Sequence, residues 1–342
     1  MLRQPILALR VLRDWRVWGL GAVAVLALAL HDAASAWSPD GGHHRAVVKL
    51  AIYWGLWLGW PLALLLALRA VGQLGRGRLG GALATLALLA LTGGVLWARF
   101  VEPHQLRVIE TPVGTACGVR VALVSDLHVG LYVREDQLEQ MVRRLNALDV
   151  DAVLIAGDFT YEPDRDLRVA FAPLGLISHP VYAVLGNHDE QLPGAPLKGP
   201  LLRELASLGV QSIEGRRVPL GRCELAGLGD LEAGAAARDL ARLKATRWSR
   251  PPADRVLLTH EPDTVLDVPA GSAALLLAGH THGGQVVLPW LTDALLRHIS
   301  RGGWQRGLYR TATLPLFVTS GIGMARLPLR FRMPPTIDVL AL

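Results

Sequence analysis

The stretch LLLAGHTHGGQVVLP, residues 275–289, joins an apolar run of strand length to two histidines and a pair of glycines. His280 and His282 stand one residue apart where the run ends. A buried strand has no use for imidazoles at its tip, whereas a metal ion binds imidazole nitrogens held at a fixed spacing. The stretch therefore predicts two metal ligands at a strand end and requires the other ligands to come from elsewhere in the chain.

Six short apolar runs, this one included, follow one another after residue 118. Their length and their Val, Leu and Ile content predict strands buried on both faces of a layered α/β sheet. Segments 134–148 and 197–209 lie between them and have the apolar spacing of amphipathic helices. The six runs are VRVALVSD (119–126), DAVLIAGD (151–158), PVYAVLGNHD (180–189), DRVLLTHEP (254–262), AALLLAGHTH (273–282) and PLFVTSGIG (315–323).

Side chains that can bind metal collect at the ends of these runs. Five of the six runs end in Asp, His or Asn-His, and function in open α/β sheets gathers beyond the carboxyl ends of the strands. Each residue alone has a structural explanation, such as a helix N-cap for Asp126 or Asp158. Together they mix oxygen and imidazole donors as borderline divalent metals prefer, without the cysteine cluster of a structural zinc finger. The predicted ligands are Asp126, His128, Asp158, Asn187, His260, His280 and His282.

The ordered set D-x-H, G-D, G-N-H-D, H and G-H-x-H resembles the motifs of the calcineurin-like metallophosphoesterase family over about residues 107–342. The ending GHTHGGQ is similar to a bacterial membrane-associated branch whose phosphodiesterases are similar to the lipid A precursor pyrophosphatases. The resemblance implies an α/β fold, a layered αββα sandwich. An N-terminal transmembrane helical region is predicted before it from the apolar runs of the first hundred residues.

The resemblance also implies two divalent metal ions, for which Mn, Fe and Zn all accept these donors. One ion would be held by Asp126, His128, Asp158 and His282, and the other by Asp158, Asn187, His260 and His280. On this assignment His280 and His282 face different ions, and their spacing spans the pair.

The predicted chemistry is hydrolysis of a phosphoester. Two cations about 3.5–4 Å apart need a bridging ligand, and the carboxylate of Asp158 has two oxygens for that role. Metal binding lowers the pKa of water from about 15.7 to about 7, and the resulting hydroxide attacks phosphorus in line. His188 is the predicted acid for the leaving alkoxide, and Asp189 is predicted to orient it and favour its charged form. The alternative for His188 is a structural histidine beside Asn187.

The motifs differ from those of the protein Ser/Thr phosphatase branch. That branch shows G-D-x-V-D-R-G and R-G-N-H-E, whereas residues 157–166 read GDFTYEPDRD and Leu185 stands where the arginine would be. The difference indicates a substrate other than a phosphoprotein.

The first hundred residues have a different composition, with uncharged runs at 17–30, 50–68 and 79–98. The second and third reach the roughly 20 residues that a helix needs to cross a bilayer. The first is shorter, and a buried helix or a signal peptide is an alternative for it. The predicted division is a membrane-anchoring region with about three transmembrane helices at 1–100 and a catalytic domain at 101–342.

Arginines predict the orientation of this region. Arg69, Arg76 and Arg78 lie between the second and third runs without an acid, and the N-terminal segment is also basic. By the positive-inside rule these segments are cytoplasmic, which places the catalytic domain on the non-cytoplasmic side of a bacterial inner membrane. Cys117 and Cys223 fit either one disulfide outside the cell or two thiols inside it.

The formal net charge of +6 suits a protein beside an anionic membrane surface. No recognisable nucleic-acid-binding module accompanies it, so nucleic acid is not an expected partner. Segment 289–310, PWLTDALLRHISRGGWQRGLYR, interleaves aromatic and arginine side chains. It predicts an interfacial element that touches anionic lipid, with a surface insertion packed on its own domain as the alternative.

These features favour a membrane-anchored, metal-dependent phosphodiesterase acting on a phospholipid or envelope substrate. A pyrophosphatase of a nucleotide-linked lipid A precursor is the alternative, and it needs a cytoplasmic domain. A catalytically idle binding scaffold should lack ligands, and none is missing. A transporter or channel should carry charges inside its spans, and these runs have none.

Overall fold

The computed structural model describes residues 43–163, 165–190, 197–231, 234–245 and 248–342. The chain divides into two compact units, Met1–Val101 with Arg326–Leu329 and Glu102–Ala325 with Arg330–Leu342. The first predicted apolar run, 17–30, lies outside the described residues.

The described residues 43–100 are mainly helical. Stretches Val48–Leu74 and Leu79–His104 are long and apolar enough to cross a membrane, and only 6% and 17% of their most apolar windows are buried. A core helix of a soluble domain would be mostly covered by protein, whereas here leucines such as Leu83 and Leu91 are about two-thirds exposed. The helices are His43–Gly55 (α1), Gly59–Leu74 (α2) and Leu79–Phe100 (α3), with a 3-10 turn at Leu56–Leu58.

The second unit contains two six-stranded sheets and a short two-stranded ribbon. Its described strands are Arg107–Pro112 (β1), Arg120–Val124 (β2), Val129–Gly130 (β3), Ala152–Ala156 (β4), Thr160–Tyr161 (β5), Val181–Val184 (β6), Val210–Ser212 (β7), Arg217–Leu220 (β8), Cys223–Gly227 (β9), Arg255–Leu258 (β10), Leu275–Ala278 (β11), Gly307–Arg310 (β12), Pro315–Val318 (β13) and Thr336–Ala341 (β14). The described helices are Glu135–Asn146 (α4), Leu167–Phe171 (α5), Asn187–Glu190 (α6), Lys198–Ser207 (α7), Ala235–Ala245 (α8), Thr264–Asp267 (α9) and Leu291–Ile299 (α10).

The six predicted apolar runs all form strands, and they divide between the two sheets. The first sheet has the order β1-β14-β2-β4-β6-β7, with β2, β4 and β6 parallel. The second has the order β12-β13-β11-β10-β9-β8, with β9, β10, β11 and β13 parallel. The predicted α/β fold is confirmed, and the carboxyl ends of the parallel strands carry the predicted ligands.

The main core lies between the sheets. Because side chains alternate along a strand, Leu275 and Leu277 of β11 pack with Leu123 and Leu154 of the first sheet. Leu276 and its neighbours on the other face belong to a second cluster that includes residues of α8 and α9. Both faces of the strand are therefore covered, which explains a run without polar residues.

Cys117 and Cys223 form a disulfide within the main core. The two residues are separated by 106 positions in the chain, and both are buried. The bond ties the segment before β2 to the first residue of β9. Of the two alternatives that the sequence leaves open, the structure has the disulfide.

Candidate metal centre

The seven predicted ligands lie just beyond the ends of five strands. Asp126 and His128 follow β2, Asp158 follows β4, and Asn187 follows β6, all in the first sheet. The remaining three follow β10 and β11 in the second sheet. Two groups of donor atoms, each within 4.8 Å of one another, form there: Asp126, His128 and His282, and Asp158, His260 and His280.

Asp158 contacts both groups. Its Oδ2 lies 3.1 Å from Nε2 of His260 and 3.6 Å from Nε2 of His128. Its other oxygen accepts a hydrogen bond of 2.9 Å from the backbone N–H of His188. A single oxygen of Asp158 therefore lies between the two groups. The sequence predicts instead that both of its oxygens bridge the cations. Asn187 completes the second group, with its Oδ1 3.2 Å from Nε2 of His260.

Hydrogen bonds to backbone carbonyls orient two of the imidazoles. Nδ1 of His260 lies 2.8 Å from the carbonyl oxygen of Ala156, and Nδ1 of His128 lies 3.2 Å from that of Thr160. A carbonyl accepts only, so Nδ1 carries a proton in both rings and Nε2 is the atom through which either ring would bind a metal ion. Such contacts fix the tautomer and ring direction of metal-binding histidines.

The ligand loops have an unusual backbone. Left-handed φ values are rare for residues with a side chain, although Asp and His adopt them more often than most. Each such residue costs on the order of 1 kcal/mol, and such conformations cluster at functional sites. Five of the seven predicted ligands have them: Asp126 (51°), His128 (48°), Asp158 (54°), His280 (70°) and His282 (51°).

Glycine allows two of these loops to approach each other. A Cβ on Gly279 would lie 2.7 Å from Oδ2 of Asp126, closer than any side chain tolerates. The backbone N–H of His280, the next residue, instead donates to that same oxygen at 3.1 Å. The glycine before the G-H-x-H histidines thus joins the loop of the second sheet to the loop of the first.

One carboxylate oxygen shows that the site suits a cation. Oδ2 of Asp126 accepts from the hydroxyl of Ser125 and from the N–H of His280, but the fully buried Oδ1 has no hydrogen-bond partner among the residues that the structure describes. Oδ1 lies 3.5 Å from Nε2 of His282 and 3.9 Å from Nε2 of His128. Buried oxygens of native proteins are almost always paired. A metal ion among these three donors would satisfy it, so the residues fit the group that the family resemblance implies.

Burial keeps several of these imidazoles neutral. It lowers the pKa of His128 to about 3 and that of His280 to about 4, and it holds the pKa of His282 well below its usual range. Burial also raises the pKa of Asp126 to about 6, with Asp158 adding to the effect. For Asp158, burial is outweighed by the adjacent His260, which holds the pKa of that carboxyl well below its usual range. Neutral imidazoles beside an ionised carboxylate are ready to bind a metal ion.

The predicted catalytic pair is split between two environments. The ring of His188 is partly exposed and lies edge-on to His128, with centroids 5.1 Å apart, and to Tyr161 at 5.0 Å. Asp189 is fully buried. Burial, with the nearby Asp158, raises the pKa of Asp189 to about 7.

The carboxylate of Asp189 accepts hydrogen bonds from groups other than the predicted partner, the ring of His188. One carboxylate oxygen accepts from the backbone N–H groups of Phe159 and Gly186, and the other from the N–H and hydroxyl of Thr160. Four donors occupy the four lone-pair directions of a carboxylate. These bonds tie the loop after β4 to the loop after β6, so the contacts of Asp189 give it a loop-shaping role. Its action on His188 remains a prediction.

Arg330 is a residue that the sequence argument missed. It is fully buried, and its guanidinium donates to the carbonyl oxygens of Ser320, Gly321, Gly323 and Met333 at 2.7–3.1 Å. One of its nitrogens lies 3.5 Å from Nδ1 of His282. The arginine therefore supports the loop after β13 directly behind a predicted ligand. Nothing in the local sequence distinguishes it from a surface arginine.

Comparison with known proteins agrees with this geometry. A family model described as calcineurin-like phosphoesterase matches residues 119–284. The uncharacterized metallophosphoesterase YkuE of Bacillus subtilis is 30% identical over 286 residues, which cover 77% of this chain and 94% of that protein. The chain belongs to the calcineurin-like phosphoesterase family. It is a metal-dependent phosphoester hydrolase, as the motifs predict, and the family normally uses a dinuclear divalent metal centre.

Two further relatives have named activities. The phosphodiesterase YaeI of Escherichia coli is 25% identical over 274 residues, covering 76% of this chain and 96% of that protein. The UDP-2,3-diacylglucosamine pyrophosphatase LpxG of Chlamydia trachomatis is 24% identical over 311 residues, covering 72% of this chain and 92% of that protein. The predicted relation to a branch with phosphodiesterases and lipid A precursor pyrophosphatases is confirmed.

Proposed function

We propose that this protein is a membrane-anchored phosphodiesterase that uses two divalent metal ions to hydrolyse a phosphodiester of a phospholipid or another envelope component. The observation that carries the proposal is the contact of one oxygen of Asp158 with both groups of donor atoms. A pair of cations needs such a shared ligand.

In the proposed enzyme, each donor group would hold one ion. Asp126, His128 and His282 form the first site and His260, His280 and Asn187 the second, with Asp158 common to both. When bound, the ions supply an activated water for attack on phosphorus and neutralise charge on the phosphate oxygens. The protein contributes the fixed positions of the donors, which the backbone carbonyls and the Gly279 contact hold in place.

His188 is the proposed acid. Asn187, His188 and His280 are partly exposed, whereas Asp126, His128 and Asp158 are buried, so a substrate reaches the centre from the side of the first three. His188 would hold a proton on its ring and transfer it to the leaving oxygen as the ester bond breaks. Its backbone N–H is fixed by Asp158, and its carbonyl accepts from the hydroxyl of Thr160 at 3.0 Å.

Membrane anchoring and a non-cytoplasmic catalytic domain are part of the proposal. The stretches Val48–Leu74, which ends in α2, and Leu79–His104, which includes α3, have the length and composition of membrane spans. The turn between them carries Arg76 and Arg78, and basic loops favour the cytoplasmic side. The buried disulfide between Cys117 and Cys223 supports the same orientation, because disulfides persist in oxidising compartments.

Hydrolysis of a nucleotide-linked lipid pyrophosphate is a second candidate, and the relative from Chlamydia trachomatis favours it. That chemistry uses the same metal centre but a substrate made in the cytoplasm. The orientation argued above therefore supports the phosphodiester over the pyrophosphate.

One experiment tests the proposal and separates the two candidates. The full chain is purified in detergent, its metals are measured, and it is assayed after restoring Mn, Fe or Zn in turn. The substrates are phospholipid diesters, phosphomonoesters and a nucleotide-linked lipid pyrophosphate. We expect the diester to have the largest kcat/KM. Preference for the pyrophosphate would replace the first candidate by the second, and a fully loaded protein without hydrolysis of any ester would overturn both.

A further inference from the structure

The segment 289–310, in which the sequence interleaves aromatic and basic residues, is divided in the structure between two roles. Three of its polar side chains hold the segment on its own domain. The indole N–H of Trp304 donates to Oδ1 of Asp263 at 3.0 Å, Arg301 pairs with Asp267 at 2.7 Å, and Arg306 pairs with the buried Asp338. These residues are used internally and are not available to a partner.

The outer face of α10 is different. Thr292 and Leu296 point inward and are buried, whereas Leu291 and Leu295, one helical turn apart, are each about half exposed. Trp290 directly precedes the helix and is 90% exposed. We call Leu288, Trp290, Leu291 and Leu295 the apolar face. Contiguous exposed apolar side chains of this kind mark an interaction surface.

The backbone holds Trp290 in its exposed position. Its φ is +64°, a left-handed conformation that a bulky aromatic residue rarely adopts. Local strain of this kind persists where the surrounding structure imposes it, and it is frequent at functional sites. Here the N–H of Leu288 donates to the hydroxyl of Thr292 at 2.7 Å, which fixes the turn on which the indole stands.

We propose that the apolar face inserts into the headgroup region of the bilayer that carries α2 and α3. The inference rests on the membrane anchoring in the proposed function but not on the identity of the substrate. Tryptophan and leucine on one side of a short amphipathic helix are typical of such interfacial contacts. The same chain has two stretches long and apolar enough to span a bilayer, and that bilayer is the proposed occupant of the face.

Charge favours an anionic lipid surface at this place. Ten of the 35 basic residues and three of the 29 acidic ones precede Glu102, which leaves 25 basic and 26 acidic residues from Glu102 onward. Attraction to lipid must therefore be local. Arg297 is exposed in the last turn of α10, and no ion pair to it is found in the described part of the chain. It would meet lipid phosphates at the edge of the apolar face.

The apolar face lies close to the metal centre. Gly284 belongs to the 3-10 turn His282–Gly284, and a Cβ at Gly284 would lie 2.6 Å from Cγ2 of Thr292. Helix α10 thus packs directly on the turn that begins with a predicted ligand. Insertion of the outer face would bring lipid headgroups beside the centre, where a lipid phosphodiester would enter without leaving the bilayer.

The test uses the full chain reconstituted in vesicles of phosphatidylcholine with a minority of phosphatidylglycerol. Leu295→Cys is labelled with bimane, and quenching is measured with a lipid that carries a nitroxide near its headgroup. The native cysteines are buried in a disulfide and take no label. Leu176→Cys is the control, because Leu176 is a leucine of the same unit that is 69% exposed. If Leu295→Cys does not fold, Leu291→Cys takes its place.

We expect the label at position 295 to be quenched several-fold more than that at 176, and Arg297→Glu to reduce the difference in anionic vesicles. Equal quenching at both positions would overturn the proposal. The proposal would also be overturned if, in detergent, the label became more shielded as the protein concentration rose. A second copy of the chain would then cover the apolar face. The readout needs no turnover, so an inactive preparation would count against the proposed function but not against docking.

Discussion

His128 and His282 face each other with their Nε2 atoms 2.9 Å apart, although 154 residues separate them in the chain. Their rings are nearly parallel, with an angle of 4° between the planes. Nδ1 of His128 donates to a carbonyl, so its Nε2 presents a lone pair. Two lone pairs at this distance repel each other, and a proton or a cation has to lie between the rings. Metal binding therefore competes with a proton at this place.

Asp158→Asn should lose more bound metal than a variant that lacks a ligand of only one donor group. Because Asp158 contacts both groups, we expect the variant to lose both metal equivalents and phosphodiester turnover to fall at least ~100-fold. Asn187→Ala should lose only the second equivalent. Elemental analysis after desalting, together with hydrolysis, measures both effects. Asp151→Asn, at an exposed aspartate, is the matched control, and two equivalents retained by Asp158→Asn would refute the shared-ligand role.

His188→Ala should separate metal binding from proton transfer. We expect the variant to retain its metal and to lose about 10²–10⁴ in turnover of an alkyl phosphodiester, as general acids contribute. A nitrophenyl ester, whose leaving group needs no proton, should lose much less. The ratio of the two rates is the measurement, and His104→Ala, at an exposed histidine, is the control. Equal losses on both esters would remove the acid role from His188.

Arg330→Met should destabilise the catalytic unit. The substitution leaves the carbonyl groups of Ser320, Gly323 and Met333 without their arginine donor in the interior, whereas that of Gly321 still accepts from the N–H of Thr336 at 3.3 Å. Each buried unpaired group costs about 1–3 kcal/mol, and we expect a total loss of at least ~3 kcal/mol in the free energy of unfolding. Arg330→Lys keeps the charge with fewer donors, and its free energy of unfolding should lie between those of the native protein and Arg330→Met.

Denaturant unfolding of the full chain in detergent measures this difference. Arg144→Met, at an exposed position of α4, should change the free energy of unfolding by less than ~0.5 kcal/mol. A change of that size for Arg330→Met would mean that the buried guanidinium contributes nothing.

Cys117→Ala with Cys223→Ala should lower the free energy of unfolding by about 2–4 kcal/mol, because the bond closes a loop of 106 residues. The folded variant should keep its turnover, since neither cysteine contacts the metal centre. Maleimide labelling of the unfolded native chain before and after reduction tests the bond itself. Two thiols that react without reduction, in protein taken directly from the membrane, would contradict both the disulfide and the non-cytoplasmic orientation.

The sequence predicts which donor side chains cluster, because its signals are local. Each donor directly follows an apolar run, so recognising the strands also locates the ligands at their ends. The two sheets and their parallel strands follow from the same runs. The structure brings all seven residues together, and their binding of metal is the prediction that the variants above test.

Features that depend on contacts distant in sequence could not be predicted in the same way. Adjacency to His188 suggested an orienting role for Asp189, yet the donors that fill its carboxylate come mainly from the loop after β4. The sequence predicts that Arg301 and Trp304 contact lipid. In the structure Arg301 pairs with Asp267, and Trp304 donates to Asp263. Arg330 interacts with carbonyl groups, which every residue possesses, so no sequence pattern reveals it.

The position of β14 has a consequence for synthesis. Residues 336–341 fit between β1 and β2, parallel to the former and antiparallel to the latter, and the loop of Asp126 continues from β2. The ribosome releases β1 and β2 long before it releases β14. The nascent chain must therefore keep these strands apart, exposed to chaperones and to mispairing, until nearly the whole domain has been translated.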